Sequence, residues 1–300
     1  MSGGSDSLAL LNLLRAWGGR PVVAATVDHG LRPGSAEEAQ QVAKICATWN
    51  VPHAILTWDT DPRGNLQAAA RDARRALLRQ EAERVSAATI ALGHTVEDQA
   101  ETFLLRLARG SGVDGLSAMA PLREERGIGI TWARPLLSTR RADLQSYLTA
   151  QGLDWIRDPS NQDTSFDRVR LRQAAPALAE LGLGAERLAA TADMMGLARD
   201  ALGQTAQTLA HEAAHPHPLG HLSLDIAPLT RAPLEVALRV LSASFNWVTG
   251  TQYRPRLSSL KPALRALGAQ PKGALTLHGA QMRWRDGHGI LCREPSKCAP

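Results

Sequence analysis

The sequence predicts an α/β fold: a doubly wound parallel sheet followed by a smaller, mostly helical domain that ends in a β-hairpin. Three observations carry this expectation. Short apolar, β-branched runs alternate with helical patterns through the first half. A polar, glycine-bearing loop at the amino end, Ser2 to Ser7, runs directly into the helical pattern Leu8 to Leu14. Beyond about Ser165 the alternation stops and helical periodicity takes over. A chain of 300 residues suits about two domains, expected at 1–165 and 166–300.

The elements follow in order. Pro21 to Val27 reads as a buried parallel strand ending in Asp28-His29-Gly30. Ser35-Ala36-Glu37-Glu38 fits a capping box and opens a helix to about Asn50. His53 to Trp58 is the next strand, and Asn65 is placed to cap a helix running to about Ser86. Thr89 to Leu92 is a third strand entering Gly93-His94, Glu97 to Arg109 is helical, and Ile128 to Ala133 is a fourth strand. An amphipathic helix spans Ser138 to Gln151. The turn-rich stretch Asp158 to Asp163 marks the domain junction. Helices then cover about 167–180, 185–215, 233–245 and 255–267, and the tail 274–293 alternates around Asp286-Gly287 as a hairpin.

Composition narrows the function classes. No run of 18 apolar residues exists and no basic-then-apolar leader opens the chain, so a soluble cytoplasmic protein without membrane segments is expected. Cys46, Cys292 and Cys298 are too few and too scattered for a disulfide framework or a four-cysteine metal site. Residues 1–165 carry 18 basic and 19 acidic side chains, whereas 166–300 carry 16 and 10. The basic excess therefore lies in the second part, as a polyanionic partner docked there would require.

The amino-terminal loop reads Ser2-Gly3-Gly4-Ser5-Asp6-Ser7. Adjacent glycines let backbone N–H groups converge on one anion, the hydroxyls of Ser2, Ser5 and Ser7 add donors, and the helix dipole points at the same spot. Asp6 within the loop suggests a bridging Mg²⁺ carried by phosphates. The loop has no lysine and matches neither G-x-x-x-x-G-K-[ST] nor G-x-G-x-x-G. Strand ends supply the other candidates: Asp28 and His29 after one strand, Gly93 and His94 after another, then Asp98, Glu101 and Thr102 in the helix that follows. Asp98 and Glu101, three apart, project from one helical face near its amino end. Arg71 and Arg74 share that spacing on another helix, suited to clamping phosphate or to a solvated face.

The loop resembles the pyrophosphate loop S-G-G-x-D-S of the ATP pyrophosphatase superfamily. Together with VDHGLRPGSAEEA, GNLQAAARDARRALL, GHTVEDQAETFLLRLARGSGVDGLSAM, RPLL and DWIRDPSNQDTSFDRVRLR, it is similar to the tRNA(Ile)-lysidine synthetase family over about residues 2–178. That resemblance implies a two-step ligation with ATP and Mg²⁺. ATP adenylates the oxygen on C2 of the wobble cytidine of a tRNA(Ile) with a CAU anticodon, and the ε-amine of free L-lysine then displaces AMP. It implies catalytic roles for Asp6, Arg71, Arg74, His94, Asp98 and Glu101, with the last two as amino-acid-binding acids. ATP contacts fall on Ser2 to Ser7, Asp28 and His29, and substrate or tRNA contacts on Arg109, Gly110, Arg134, Arg168, Arg170 and Arg172. Two positions depart from the family pattern: Arg75 stands where tyrosine is common, and His94-Thr95 replaces a histidine pair. Spaced at two, the last three arginines cannot all share one helix face, so tRNA backbone contact is expected from at least one of them and not from all three.

Other readings compete. His211-Glu212-Ala213-Ala214-His215 spells the H-E-x-x-H of zinc hydrolases, although Pro216 ends the helix at once. A tRNA thiolation enzyme of the same superfamily would rely on a C-x-x-C, which the three cysteines do not form. A glutamine-dependent amidotransfer enzyme and a non-catalytic nucleotide-binding protein are further alternatives. A homodimer is compatible with the sequence, which names no residue for it. In doubly wound sheets a strand feeds the phosphate loop; here the loop begins at residue 2, and an apolar strand upstream of it is expected.

Overall fold

The computed structural model describes residues 1–30, 34–58, 66–125, 127, 129–156, 167–251 and 253–294. The chain forms two compact units, Met1–Gly196 and Leu197–Pro300. The junction expected at 158–165, the cap at Asn65, and Cys298 lie outside the described residues. Among the described residues no helix is long and apolar enough to cross a membrane.

In chain order the first unit contains α1 (Ser5–Trp17), β1 (Ala24–Asp28), α2 (Ser35–Thr48), β2 (His53–Thr57), α3 (Leu66–Arg84), β3 (Thr89–Ala91) and α4 (Val96–Ala108). It continues with α5 (Val113–Leu116), β4 (Leu122–Glu125), β5 (Ile130–Ala133), α6 (Arg141–Ala150), α7 (Asp167–Glu180) and the first half of α8 (Ala185–Ala213). β1 runs parallel to β2, with Ala24 opposite His53 and Asp28 opposite Thr57. β3 runs parallel to β5, and β4 joins β5 antiparallel, giving the order β3-β5-β4. α3 packs against both β1 and β3 and so spans the two sheets. β4 was not legible in the sequence because Leu122-Arg123-Glu124-Glu125 lies largely exposed, with no apolar alternation to mark it.

α1 is the wedge of this unit. Leu8, Ala9 and Leu10 pack with Leu136, Leu144 and Leu148, the last two from α6, while Leu11 packs with Ala24, Val42, Cys46 and Val51. Apolar side chains at successive positions thus bury on two sides of the helix, which fixes the loop preceding it. α4 buries Ala100 and Phe103 against Ala118 and against Leu188 and Ala192 of α8. The capping box read at Ser35 is corrected: Ser35 is the first helical residue and Gly34, at φ 86°, is the cap. The chain turns through a left-handed residue there, which glycine adopts without strain. A capping box does stand at the start of α4, formed by Thr95 with Asp98.

The second unit holds the rest of α8, β6 (Ala214–Pro216), β7 (Leu222–Asp225), α9 (Ile226–Arg231), α10 (Leu234–Thr249), α11 (Leu257–Ala269), β8 (Lys272–Leu277), β9 (Ala280–Arg285) and β10 (His288–Arg293). The expected terminal hairpin is part of a larger antiparallel sheet ordered β6-β7-β10-β9-β8. Two tight turns build its meander. His278-Gly279 (φ 56° and 78°) and Asp286-Gly287 (φ 51° and 86°) are consecutive left-handed pairs, as two-residue hairpin loops demand. Phe245 and Leu241 of α10, Leu260 of α11, and Leu224, Met282 and Leu291 of the sheet form its core. Phe245 is fully buried, so Phe245→Ala is expected to cost about 3–5 kcal/mol in urea unfolding of the full chain; a loss within experimental error of zero would contradict this packing.

Candidate functional site

The loop owes its shape to contacts that exclude side chains. Gly3 sits at φ +77°, and a Cβ there would lie 2.5 Å from Ile156 Cδ1. Its carbonyl accepts the Ile156 N–H at 2.9 Å. A Cβ at Gly93, just past β3, would lie 2.9 Å from the Asp6 carbonyl oxygen and 3.0 Å from its carbon. The end of β3 therefore rests directly on the loop backbone, and only glycine allows it. Within the loop, Ser7 Oγ–H donates to Gly4 O at 3.1 Å, Ser2 N–H donates to Ser7 Oγ at 3.2 Å, and Ser5 Oγ–H donates to Asp6 Oδ1 at 2.8 Å. The first N–H groups of α1 have no acceptor within the helix, which is what an anion site uses.

Beyond Gly93, α4 brings Asp98 and Glu101 into the protein, 6% and 5% exposed, far below what ordinary solvated first-turn acids show. Asp98 Oδ2 accepts the Thr95 N–H at 3.0 Å and Thr95 Oγ1–H at 3.2 Å, so part of its work is to cap α4. Its other partners are Arg141 Nη2 at 3.5 Å and Arg172 Nη2 at 3.7 Å. Glu101 accepts Arg172 Nε–H at 2.6 Å and lies 4.0 Å from Arg168 Nε. Burial pushes the Glu101 carboxyl above its usual range, against the pull of the Arg172 hydrogen bond and charge. Guanidinium groups thus neutralise both buried acids.

Arginines and histidines crowd the same region. Burial depresses Arg71, and repulsion from Arg168, Arg109 and Arg75 adds to it against the pull of Asp72. Arg74, crowded by protein yet open to solvent, is depressed first by desolvation and then by Arg71. The His94 ring is held down to about 4 by burial, with Asp98 drawing it up and Arg134, Arg74 and Arg168 pushing it down. Burial and Arg74 likewise lower His29 against the pull of Asp28. Three buried polar atoms of these residues, His29 Nδ1, His94 Nδ1 and Arg134 Nε, have no hydrogen-bond partner. Unpaired buried donors and acceptors are costly, so each of these atoms is open to a partner from outside the chain.

The predicted residues are distributed as follows. Asp98, Glu101, Arg168 and Arg172 are linked by the contacts above, and Gly93 seats the residue before His94 on the loop Ser2 to Ser7; Arg74, Arg134 and Arg168 act on the charge of His94, Arg74 on that of His29, and Arg168 on that of Arg71. Asp28 caps its own turn, accepting the Gly30 N–H at 3.0 Å. Arg109 is exposed and lies 3.9 Å from Asp167, next to Gly110 at φ 68°. Arg168 and Arg172, one turn apart on α7, face Glu101; Arg170 pairs instead with Asp167, three residues back. The competing H-E-x-x-H is broken: His211 and Glu212 end α8, whereas His215 lies in β6 and bonds Asp225 at 3.1 Å. A helix cannot present both imidazoles when a strand begins between them. Among the described residues no group of three or more His, Cys, Asp or Glu is placed to hold a metal.

Three residues were not singled out from sequence. Arg141 Nε donates to Asp6 Oδ2 at 2.9 Å, and its backbone N–H is accepted by both Glu97 carboxylate oxygens at 3.0 and 3.1 Å. Gln99 clasps Met119, donating to its O and accepting its N–H, both at 2.9 Å, and Arg106 donates to Gly115 O and Ala118 O. A signal for Arg141 exists: an arginine in the first turn of a helix opposes the dipole, which calls for a compensating partner.

Two outcomes are expected. Gly93→Ala has to displace the loop backbone, so affinity for a fluorescent ATP analogue should fall sharply while thermal unfolding moves modestly; undiminished nucleotide binding would contradict the contact. His94 is neutral in the fold at a pH where it charges in the unfolded chain. Its stabilising contribution is thus present above about pH 6.5 and is lost as pH falls toward 4. His94→Asn should flatten the fall in stability over that interval, and an unchanged profile would refute the buried neutral state.

Comparison with known proteins matches this frame. Residues 1–178 match the model of the PP-loop domain. A tRNA(Ile)-lysidine synthase from Ruegeria pomeroyi is 41% identical, over 98% of this chain and 70% of its own length. One from Methylobacterium sp. (strain 4-46) is 42% identical over 99% and 88%, and one from Wolbachia pipientis wMel is 35% identical over 99% and 70%. Among solved structures, the U34-tRNA thiolase NcsA from Methanococcus maripaludis superposes with a TM-score of 0.55 at 16% identity, covering 65% of this chain and 70% of that one; it shares the fold. With a PP-loop domain over more than half its length and relatives of this identity along nearly all of it, the chain belongs to the tRNA(Ile)-lysidine synthase family.

Proposed function

We propose that this protein ligates free L-lysine to C2 of the wobble cytidine of a tRNA(Ile) with a CAU anticodon, using ATP and releasing pyrophosphate and AMP. The observation that supports this reading most is the rest of Gly93 on the loop at Asp6, because it joins a phosphate-binding turn to two buried carboxylates. In the first step the cytidine O2 attacks the α-phosphorus; the new O–P bond forms as the bond to pyrophosphate breaks. Loop N–H groups with Arg71, Arg74 and Arg134 balance the charge that builds on the leaving pyrophosphate. In the second step the ε-ammonium of lysine first gives up a proton to water, the ε-amine attacks C2, the C2–O bond breaks with its electron pair leaving on AMP, and the new C–N nitrogen sheds a second proton to water.

Asp6 is suited to Mg²⁺: a loop carboxylate beside the anion site fits a cation that arrives with phosphates and keeps few protein ligands. When bound there, the ion would neutralise phosphate charge. Asp98 and Glu101 take the ammonium groups of lysine, for which Arg172 and Arg168 give way. A neutral His94 orients the activated base by hydrogen bonding without adding charge. Arg109, Gly110 and Arg170, outside the inward-facing set, are the candidates for tRNA backbone contact. The thiolation alternative gains nothing from Cys46, which is buried in the apolar cluster under α1.

The test is ATP-dependent incorporation of labelled lysine into a tRNA with a CAU anticodon. Glu101→Gln removes a buried charged partner and should raise the KM for lysine roughly 10–100-fold, with the KM for ATP little changed. Asp98→Asn should do the same and, through its cap, cost about 1 kcal/mol of stability as well. Normal lysine saturation in both variants would refute the assignment.

A further inference from the structure

We propose that Arg141 is a further pyrophosphate-binding residue, one that leaves the loop acid for the phosphates when ATP arrives; the proposal rests on the ATP-using reading above. Its backbone is fixed to α4, where Glu97 accepts its N–H with both carboxylate oxygens and Val96 N–H donates to Thr139 O at 3.1 Å. From that anchor the side chain reaches over to α1 and pairs with Asp6, the one acid of the loop, at 2.9 Å. The contact with Asp98 is longer, 3.5 Å, at the limit of a hydrogen bond. A guanidinium held this way lies beside the place where loop N–H groups would receive pyrophosphate, in a loop that carries no cation of its own.

Electrostatics supplies the exchange. Asp6 and Asp98 offer one negative charge each, whereas a triphosphate concentrates about four over oxygens that a planar fork contacts in pairs. Any Mg²⁺ brought to Asp6 would also repel the guanidinium from that carboxylate. Moving from carboxylate to phosphate leaves Arg141 paired while unburdening Asp98, the acid assigned to lysine. The ion pairs with Asp6 and Asp98 are then a holding position, and the helix dipole of α6, unfavourable to an arginine in its first turn, adds no barrier to the move.

The experiment compares inhibition of wild type, Arg141→Gln and Arg141→Lys by inorganic pyrophosphate and by AMP, in the lysine-incorporation assay. In Arg141→Gln, inhibition by pyrophosphate should weaken about tenfold or more, the loss of a charge-assisted bond, while AMP inhibition stays within about twofold. Arg141→Lys should recover most of the pyrophosphate effect, since it keeps the charge. A merely structural role would weaken both inhibitors together, and equal effects on both, or none on either, overturn the proposal. Should the variants fail to fold, phenylglyoxal labelling of the wild-type protein followed by peptide mass analysis decides: pyrophosphate should protect Arg141 and AMP should not. Equal labelling with both also overturns it. If wild type incorporates no lysine at all, the functional reading has failed; if it does and Arg141 behaves equally toward both inhibitors, only this proposal has.

Discussion

The close approach of Gly93 to the backbone of Asp6 is the constraint on which the rest of the site depends. With no Cβ tolerated at Gly93, β3 ends flush against the loop, and everything that follows in the chain is placed by that contact. His94 comes next to the loop, Thr95 and Asp98 cap the helix, and Glu101 follows one turn on. The loop itself is held from behind by α1, whose consecutive apolar residues lock into two clusters at once. A phosphate-binding turn and an acidic pair are thus joined through backbone, which varies far less than side-chain geometry.

The charge arrangement follows from this closeness. Acids buried without cations would be protonated or would unfold the site, and arginines gathered without anions would repel one another. The fold answers the first need internally, with Arg141 on Asp6 and Arg172 on Glu101. The second is left partly open: Arg168, Arg109 and Arg75 add to the depression of Arg71, and Arg134 keeps a buried N–H without a partner. In the proposed reaction an anionic nucleotide would relieve that repulsion, and a dicationic amino acid would replace the internal cations on the acids. Substrate binding is then an exchange of partners, which avoids burying naked charge.

Much of this was legible in the sequence. The loop composition, the glycines and carboxylates at strand ends, and the three-residue spacing of Asp98 and Glu101 are local patterns, and local patterns survive in a linear reading. What escaped was long-range. Arg141 meets Asp6 across 135 positions of sequence, and nothing adjacent to either residue announces the other. The exposed edge strand β4 and the turn at His278-Gly279 escaped because neither carries the usual residues of its kind, whereas Asp286-Gly287 does. The reverse error is instructive as well. The H-E-x-x-H letters were present, but helix-to-strand conversion at Ala214 separates the pair, and a motif's chemistry requires its backbone. The inward turn of Arg168 and Arg172 did not show: the spacing excluded one face for all three arginines, but the acids that two of them meet lie about 70 positions away.

The central claim is that one site joins ATP, a cytidine and lysine. Mass analysis of the nucleosides from a tRNA with a CAU anticodon, after incubation with the protein, ATP and lysine, tests it most directly. Cytidine at the wobble position is expected to gain the mass of lysine less one water, and only when both ATP and lysine are supplied. An unmodified cytidine, or a modified nucleoside formed without lysine, would contradict it.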